Sequence, residues 1–209
     1  TSDGGQRDYA GVFVSADRAA DVVFLHMHGG FFTLSDRYDV SAWMLTLAQA
    51  ADRPLVSMQY PLNRQSGWDT ATLRDTIDST VATVKAVFPN AAVVVLGASA
   101  GGTLALDLAA RSNASSLAAV IVDSPNVCIP KLPADLQSSD ATCITDPPFD
   151  VTREDFIVAP ILDMCFEDIA AQTDVPVFAV FPKYDIIIPK AQFDRYIANA
   201  DPADYCVDT

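Results

Sequence analysis

The 209 residues are half hydrophobic and 9% aromatic, enough apolar side chain to build a sizeable core, which argues against intrinsic disorder. Thirteen Lys and Arg against 27 Asp and Glu leave a net charge of −14. That field repels nucleic-acid phosphates and anionic membranes and disfavours anionic substrates at long range, and no apolar run approaches the roughly 20 residues a membrane span needs.

In chain order, residues 12–14 read as a short strand, and residues 21–27 form an apolar run expected to be a buried strand ending at His28-Gly29-Gly30, a turn signal. Helical spacing of Trp43 and Leu47 predicts a helix over 41–51. A strand is expected over 55–60, stopped by Pro61. Leu73, Ile77, Val81, Val84 and Phe88 recur at steps of three and four, which predicts a long amphipathic helix over 71–88. Residues 92–96 are a β-branched run of the kind found in central parallel strands buried on both faces. They lead into Gly97-Ala98-Ser99-Ala100-Gly101-Gly102, with a helix expected over 103–111 and a strand over 118–122.

Residues 124–150 are rich in Pro, Ser and Asp and read as irregular, with a helical region from Thr152 to about Ala171. A strand over 175–181 is followed by a loop carrying Asp185, a helix over 190–200 and the start of one more strand at Tyr205. Strand alternates with helix over most of the length. The pattern predicts an α/β fold, a mostly parallel central sheet flanked by helices, in a single domain over 1–209. Residues 124–171 are expected to form a small lid-like insertion.

Cys128, Cys143, Cys165 and Cys206 contain no Cys-x-x-Cys pair. With His26 and His28 the sole histidines, no metal site is expected, and nothing in the sequence calls for a cofactor. Cys128 and Cys143 bracket a Pro-rich stretch; a disulfide between them and free, partly buried thiols fit the sequence equally well. Asn113-Ala114-Ser115 is a glycosylation triplet of a kind common by chance, so secreted and cytoplasmic locations both stay open.

Two motifs carry chemistry. Gly97-Ala98-Ser99-Ala100-Gly101 has the Gly-x-Ser-x-Gly form, which a random chain of this length shows about 7 times in 100. A buried strand before it and a helix after it make it informative. A serine on so sharp a turn needs glycines on both sides, and at a helix N-terminus it meets a dipole that favours developing negative charge. The alternative is an ordinary strand-to-helix turn with an N-capping serine. The second motif is His28-Gly29-Gly30-Phe31, two glycines after a buried strand, whose backbone N–H groups can serve an oxyanion together with that of Ala100.

His28-Gly29-Gly30-Phe31, Tyr60-Pro61-Leu62 and Gly97 to Gly102, in that order, resemble the hormone-sensitive-lipase-like branch of the α/β-hydrolases. Thr152-Arg153-Glu154 resembles the start of that family's helix after its sixth strand, and the similarity runs from about residue 10 to the end. The resemblance implies Ser99 as nucleophile, Gly29, Gly30 and Ala100 as oxyanion donors, a structural His28 that orients the loop, and Asp185 as the triad acid. It implies a serine carboxylester hydrolase acting on small neutral esters through an acyl-enzyme.

The chain departs from the family in several places. Phe31 stands at the third oxyanion glycine and Ala98 at the usual Asp, and the N-terminal cap is reduced. The family's histidine is due just beyond Thr209, so the chain is expected to be C-terminally incomplete. The second reading is an inactive homologue that binds a small molecule as a receptor or acts as a structural subunit. The oligomeric state is not legible.

Overall fold

The computed structural model describes residues 19–63, 68–113, 116–131, 164–182, 188 and 190–208. The strand expected over 12–14, the question of a reduced N-terminal cap, Thr152-Arg153-Glu154 and Asp185 lie outside the described residues.

Among the described residues six strands form one sheet: β1 Val22–Met27, β2 Leu55–Met58, β3 Ala92–Ala98, β4 Ala119–Asp123, β5 Val177–Pro182 and β6 Tyr205–Asp208. Their order across the sheet is β2-β1-β3-β4-β5-β6, and every pairing is parallel. Among the described residues five α-helices accompany them: α1 Ala42–Ala51, α2 Thr70–Val87, α3 Ala100–Arg111, α4 Ile169–Gln172 and α5 Lys190–Ile197. The expected parallel sheet with flanking helices is therefore the architecture found. No helix among the described residues is long and apolar enough to cross a membrane.

The alternation of side chains along β1 explains how the sheet is covered. Val23, Leu25 and Met27 enter the larger core with Leu73, Ile77 and Val84 of α2 and Leu104 and Leu108 of α3. Phe24 enters the smaller one with Met44 and Ala48 of α1 and with Leu55 and Leu96. A period of two on each strand, against helical stripes on both sides, requires this division.

Helix ends follow local chemistry where it is available. The Asp69 carboxylate accepts from the Thr72 N–H at 2.7 Å and caps α2. Asp52 closes α1 in the left-handed conformation at φ 51°. Asp107 of α3 was not anticipated as structural. Its side chain is 1% exposed and takes Arg74 of α2 at 2.6 Å and Arg111 at 2.8 Å. Arg111 also reaches Asp78 at 3.0 Å, so two arginines join α2 to α3.

The disulfide links Cys128 to Cys165, which corrects the considered pairing of Cys128 with Cys143. The two cysteines face each other across an antiparallel bridge with Cα atoms 4.0 Å apart. Flanking backbone bonds, Ile129 N–H to the Met164 carbonyl and Phe166 N–H to the Val127 carbonyl, set that register. Val127, Ile129, Met164 and Phe166 are all buried, so the two ends of the segment read as an irregular insertion belong to the core. The lid expectation rests on the residues between them, 132–163, outside the described residues. Gln192 of α5 fixes the arrangement from below: its amide accepts from the Cys128 N–H at 2.7 Å and donates to the Cys128 carbonyl at 3.2 Å.

Candidate active site

β3 runs two residues further than its apolar pattern, to Ala98, and α3 begins at Ala100, three residues before the expected start. Ser99 is left as the single residue of the turn, at φ 50° and ψ −117°. This is a costly conformation for a side-chain-bearing residue, of the kind held in place by surrounding structure at functional sites. Ser99 stands at the N-cap position but its hydroxyl makes no capping hydrogen bond, which removes the N-cap explanation for the serine.

The turn closes only because of its glycines. A Cβ on Gly97 would lie 2.5 Å from the Gly101 carbonyl oxygen and 2.7 Å from the Gly102 Cα. One on Gly101 would collide with the carbonyl oxygens of Met27 and His28. That second approach is why the glycines sit inside the first turn of α3 instead of ahead of it: the helix start is pressed against the end of β1. Asp123 holds the other side, its carbonyl accepting from the Ser99 N–H at 2.8 Å.

The same contact brings the two motifs together. An added Cβ on Gly29 would sit 3.3 Å from the Ser99 Cβ and 3.3 Å from the Ala98 carbonyl oxygen. Gly29 thus lies directly against Ser99. Gly30 takes φ 98°, and a Cβ there would collide with the Leu34 carbonyl. Phe31, at the position of the family's third glycine, is also left-handed at φ 54°, as is Phe32 at 63°. Phe32 is buried against Tyr60 and Trp68, with ring centroids 6.4 and 6.3 Å away, so apolar packing offsets the backbone cost. Ala100 opens α3 and is fully buried.

Both histidines lie at the end of β1 and both are engaged. His28 is buried, its ring stacked on Tyr60 with centroids 4.1 Å apart. Its Nδ1 lies 2.8 Å from the Gly29 carbonyl oxygen, a contact that requires Nδ1 to carry the proton. The Gln59 amide nitrogen stands 3.3 Å from Nε2, consistent with the same tautomer. Burial lowers its pKa, against an opposing effect of the Gly29 bond. His28 is thus engaged at both ring nitrogens, by the Gly29 carbonyl and the Gln59 amide. His26 is 2.8 Å from the Ser57 hydroxyl through Nδ1, while Nε2 is buried with no hydrogen-bond partner among the described residues. Burial pushes its pKa from 6.5 down to about 4.

Two further residues bear on the site. Asp123, paired in register with Ala98, accepts the Trp43 indole N–H at 2.8 Å and the Ser124 hydroxyl at 3.0 Å, fastening α1 beneath the turn. Its sequence signal was an acid ending a β-branched run. Tyr60 is fully buried and its hydroxyl reaches the carbonyl oxygens of His28 at 2.8 Å and Gly29 at 3.0 Å. The Tyr-Pro pair marked it in the sequence only as part of a family segment.

Residues 24–186 match the family described as alpha/beta hydrolase fold. The chain belongs to that family. No curated protein matches it in sequence. Among solved structures, this α/β-hydrolase is similar to a hormone-sensitive lipase from a metagenome library, at TM-score 0.66 and 15% identity over 93% of this chain and 69% of that one. It is also similar to carboxyl esterase 2 from the mycorrhizal fungus Tuber melanosporum, at TM-score 0.66 and 11% identity over 100% of this chain and 77% of that one. Vibralactone cyclase gives TM-score 0.61 and 17% identity, with 93% of this chain covering 63% of that one. At these identities the likeness is one of fold, and an α/β-hydrolase fold hosts more than one chemistry.

Proposed function

We propose that the protein is a serine carboxylester hydrolase for small neutral esters, with Ser99 as nucleophile. The observation that carries the reading is the strained, uncapped Ser99 at the start of α3 with Gly29 packed against its Cβ. In this reading the Ser99 oxygen attacks the ester carbonyl, and the carbonyl oxygen becomes an oxyanion met by the N–H groups of Gly29, Gly30 and Ala100. The proton given up by Ser99 passes to the leaving oxygen, the alcohol departs, and water then hydrolyses the acyl-enzyme, restoring the Ser99 hydroxyl and releasing the acid. Each well-placed oxyanion donor contributes about 3 kcal/mol to the transition state. The net charge of −14 supports neutral esters over anionic ones.

Asp185 is the proposed acid of the triad. His26 Nδ1 faces the Ser57 hydroxyl of β2 and His28 Nδ1 the Gly29 carbonyl oxygen, so in this reading neither takes the Ser99 proton. That engagement also favours the second reading, a homologue that binds an ester-like ligand without turning it over.

The deciding experiment compares hydrolysis of p-nitrophenyl butyrate by the protein and by Ser99→Ala. The ester-hydrolase reading expects Ser99→Ala to lose at least 100-fold of the turnover, on the order of a lost nucleophile. Equal rates overturn it. Thermal stabilisation by the substrate with no Ser99-dependent turnover supports the binding reading instead.

A further inference from the structure

The loop that carries Gly29 and Gly30 is held by a buried hydroxyl. Tyr60 follows β2 and precedes Pro61, which restricts it to extended backbone. Its side chain is fully buried between the His28 ring and Phe32. The Tyr60 hydroxyl carries one proton and two carbonyl oxygens converge on it, His28 at 2.8 Å and Gly29 at 3.0 Å. The Gly29 carbonyl accepts a second bond from His28 Nδ1 at 2.8 Å. Burial raises the Tyr60 pKa, so the hydroxyl remains a donor at any physiological pH.

Peptide geometry turns these acceptor contacts into a statement about donors. Every peptide here is trans, so the C=O of His28 and the N–H of Gly29 point in opposite directions, as do the C=O of Gly29 and the N–H of Gly30. Two successive carbonyls aimed at one hydroxyl put two successive N–H groups on the far side, an arrangement that receives anions. The third carbonyl, that of Gly30, is fixed separately by the N–H groups of Thr33 at 2.9 Å and Leu34 at 2.8 Å. Among the described residues, the side-chain bonds to the first two come from Tyr60 and His28.

We propose that Tyr60 is a positioning residue for oxyanion stabilisation, its hydroxyl holding the 28–29 and 29–30 peptides with their N–H groups directed to one side. The inference rests on the ester-hydrolase reading for its catalytic consequence, but the orientation of the two peptides stands independently of it.

The experiment uses Tyr60→Phe, which keeps the ring stack and removes only the hydroxyl. The first measurement is backbone amide relaxation at Gly29 and Gly30. Both amides are expected to be rigid in the wild type, with order parameters of about 0.85, and to fall below about 0.6 in Tyr60→Phe. Unchanged order parameters overturn the proposal whether or not the protein hydrolyses esters. The second is p-nitrophenyl butyrate kinetics per reactive serine, counted by fluorophosphonate labelling. Tyr60→Phe is expected to lower kcat at least 10-fold with KM changed less than threefold, because an oxyanion forms only in the transition state. Asp107→Asn, destabilised at a remote site, is expected to keep kcat per labelled serine within twofold, separating positioning from general loss of stability. A Tyr60→Phe kcat within twofold of wild type overturns the proposal. A wild type that neither turns over ester nor labels at Ser99 overturns the ester-hydrolase reading, and the amide measurement then decides the role of Tyr60 alone.

Discussion

Reduction of the Cys128–Cys165 disulfide tests the tertiary arrangement most directly. The bond closes a loop across a sequence separation of 37. In the chain-entropy account, releasing a loop of that size costs about 4 kcal/mol of stability, because the unfolded chain regains the freedom the link had removed. Domain stabilities of about 5–15 kcal/mol make this a large fraction of the total. With a urea m-value of about 2–3 kcal/mol/M, the unfolding midpoint is expected to fall by about 1.3–2 M on adding dithiothreitol. A Cys128→Ala/Cys165→Ala variant is expected to unfold near the reduced midpoint and to ignore dithiothreitol. Peptide mapping without reduction is expected to recover Cys128 and Cys165 in one linked species. A link from Cys128 to Cys143, or a wild-type midpoint that moves by less than about 0.3 M on reduction, refutes the reasoning.

Two further outcomes follow from buried charge. His26 is held neutral in the fold, with a pKa of about 4 against 6.5 in an exposed chain. As pH falls from about 6.5 to 4 the unfolded state takes up a proton that the folded state refuses, so stability declines through that window by about 3 kcal/mol. Urea midpoints measured between pH 5 and 6.5 are expected to slope about one proton less steeply in His26→Leu, and parallel profiles would remove His26 as the cause. Asp107→Ala is expected to cost about 2 kcal/mol. It breaks a pair to a nearly fully buried carboxylate, but Arg74 and Arg111 keep side-chain exposures of 38% and 25% and recover part of their hydration. Thermal unfolding that shifts by less than about 1 °C would show that the two arginines do not depend on it.

Local pattern was sufficient for the order and kind of most described elements. The β-branched run before Gly97 has no stable place except inside a parallel sheet, and the spacing of Leu73, Ile77 and Val84 sets the buried face of α2. The Gly-x-Ser-x-Gly and His-Gly-Gly motifs were legible because a sharp strand-to-helix turn and a close backbone approach leave room only for glycine. What pattern could not supply were partners distant in the chain. Nothing near Cys128 in sequence selects Cys165 over Cys143; the antiparallel bridge between their segments does. Asp107 reads as one acid on an amphipathic helix until α2 presents Arg74. The start of α3 at Ala100 ran against the ordinary cost of glycine in a helix, because the helix packs on the end of β1 more closely than a Cβ permits. That packing also sets Gly29 against Ser99. The residues of the candidate site were therefore written in the sequence, while their meeting was decided by which strands became neighbours, β1 and β3, a pairing stabilised by the whole sheet and its two cores and by no short segment alone.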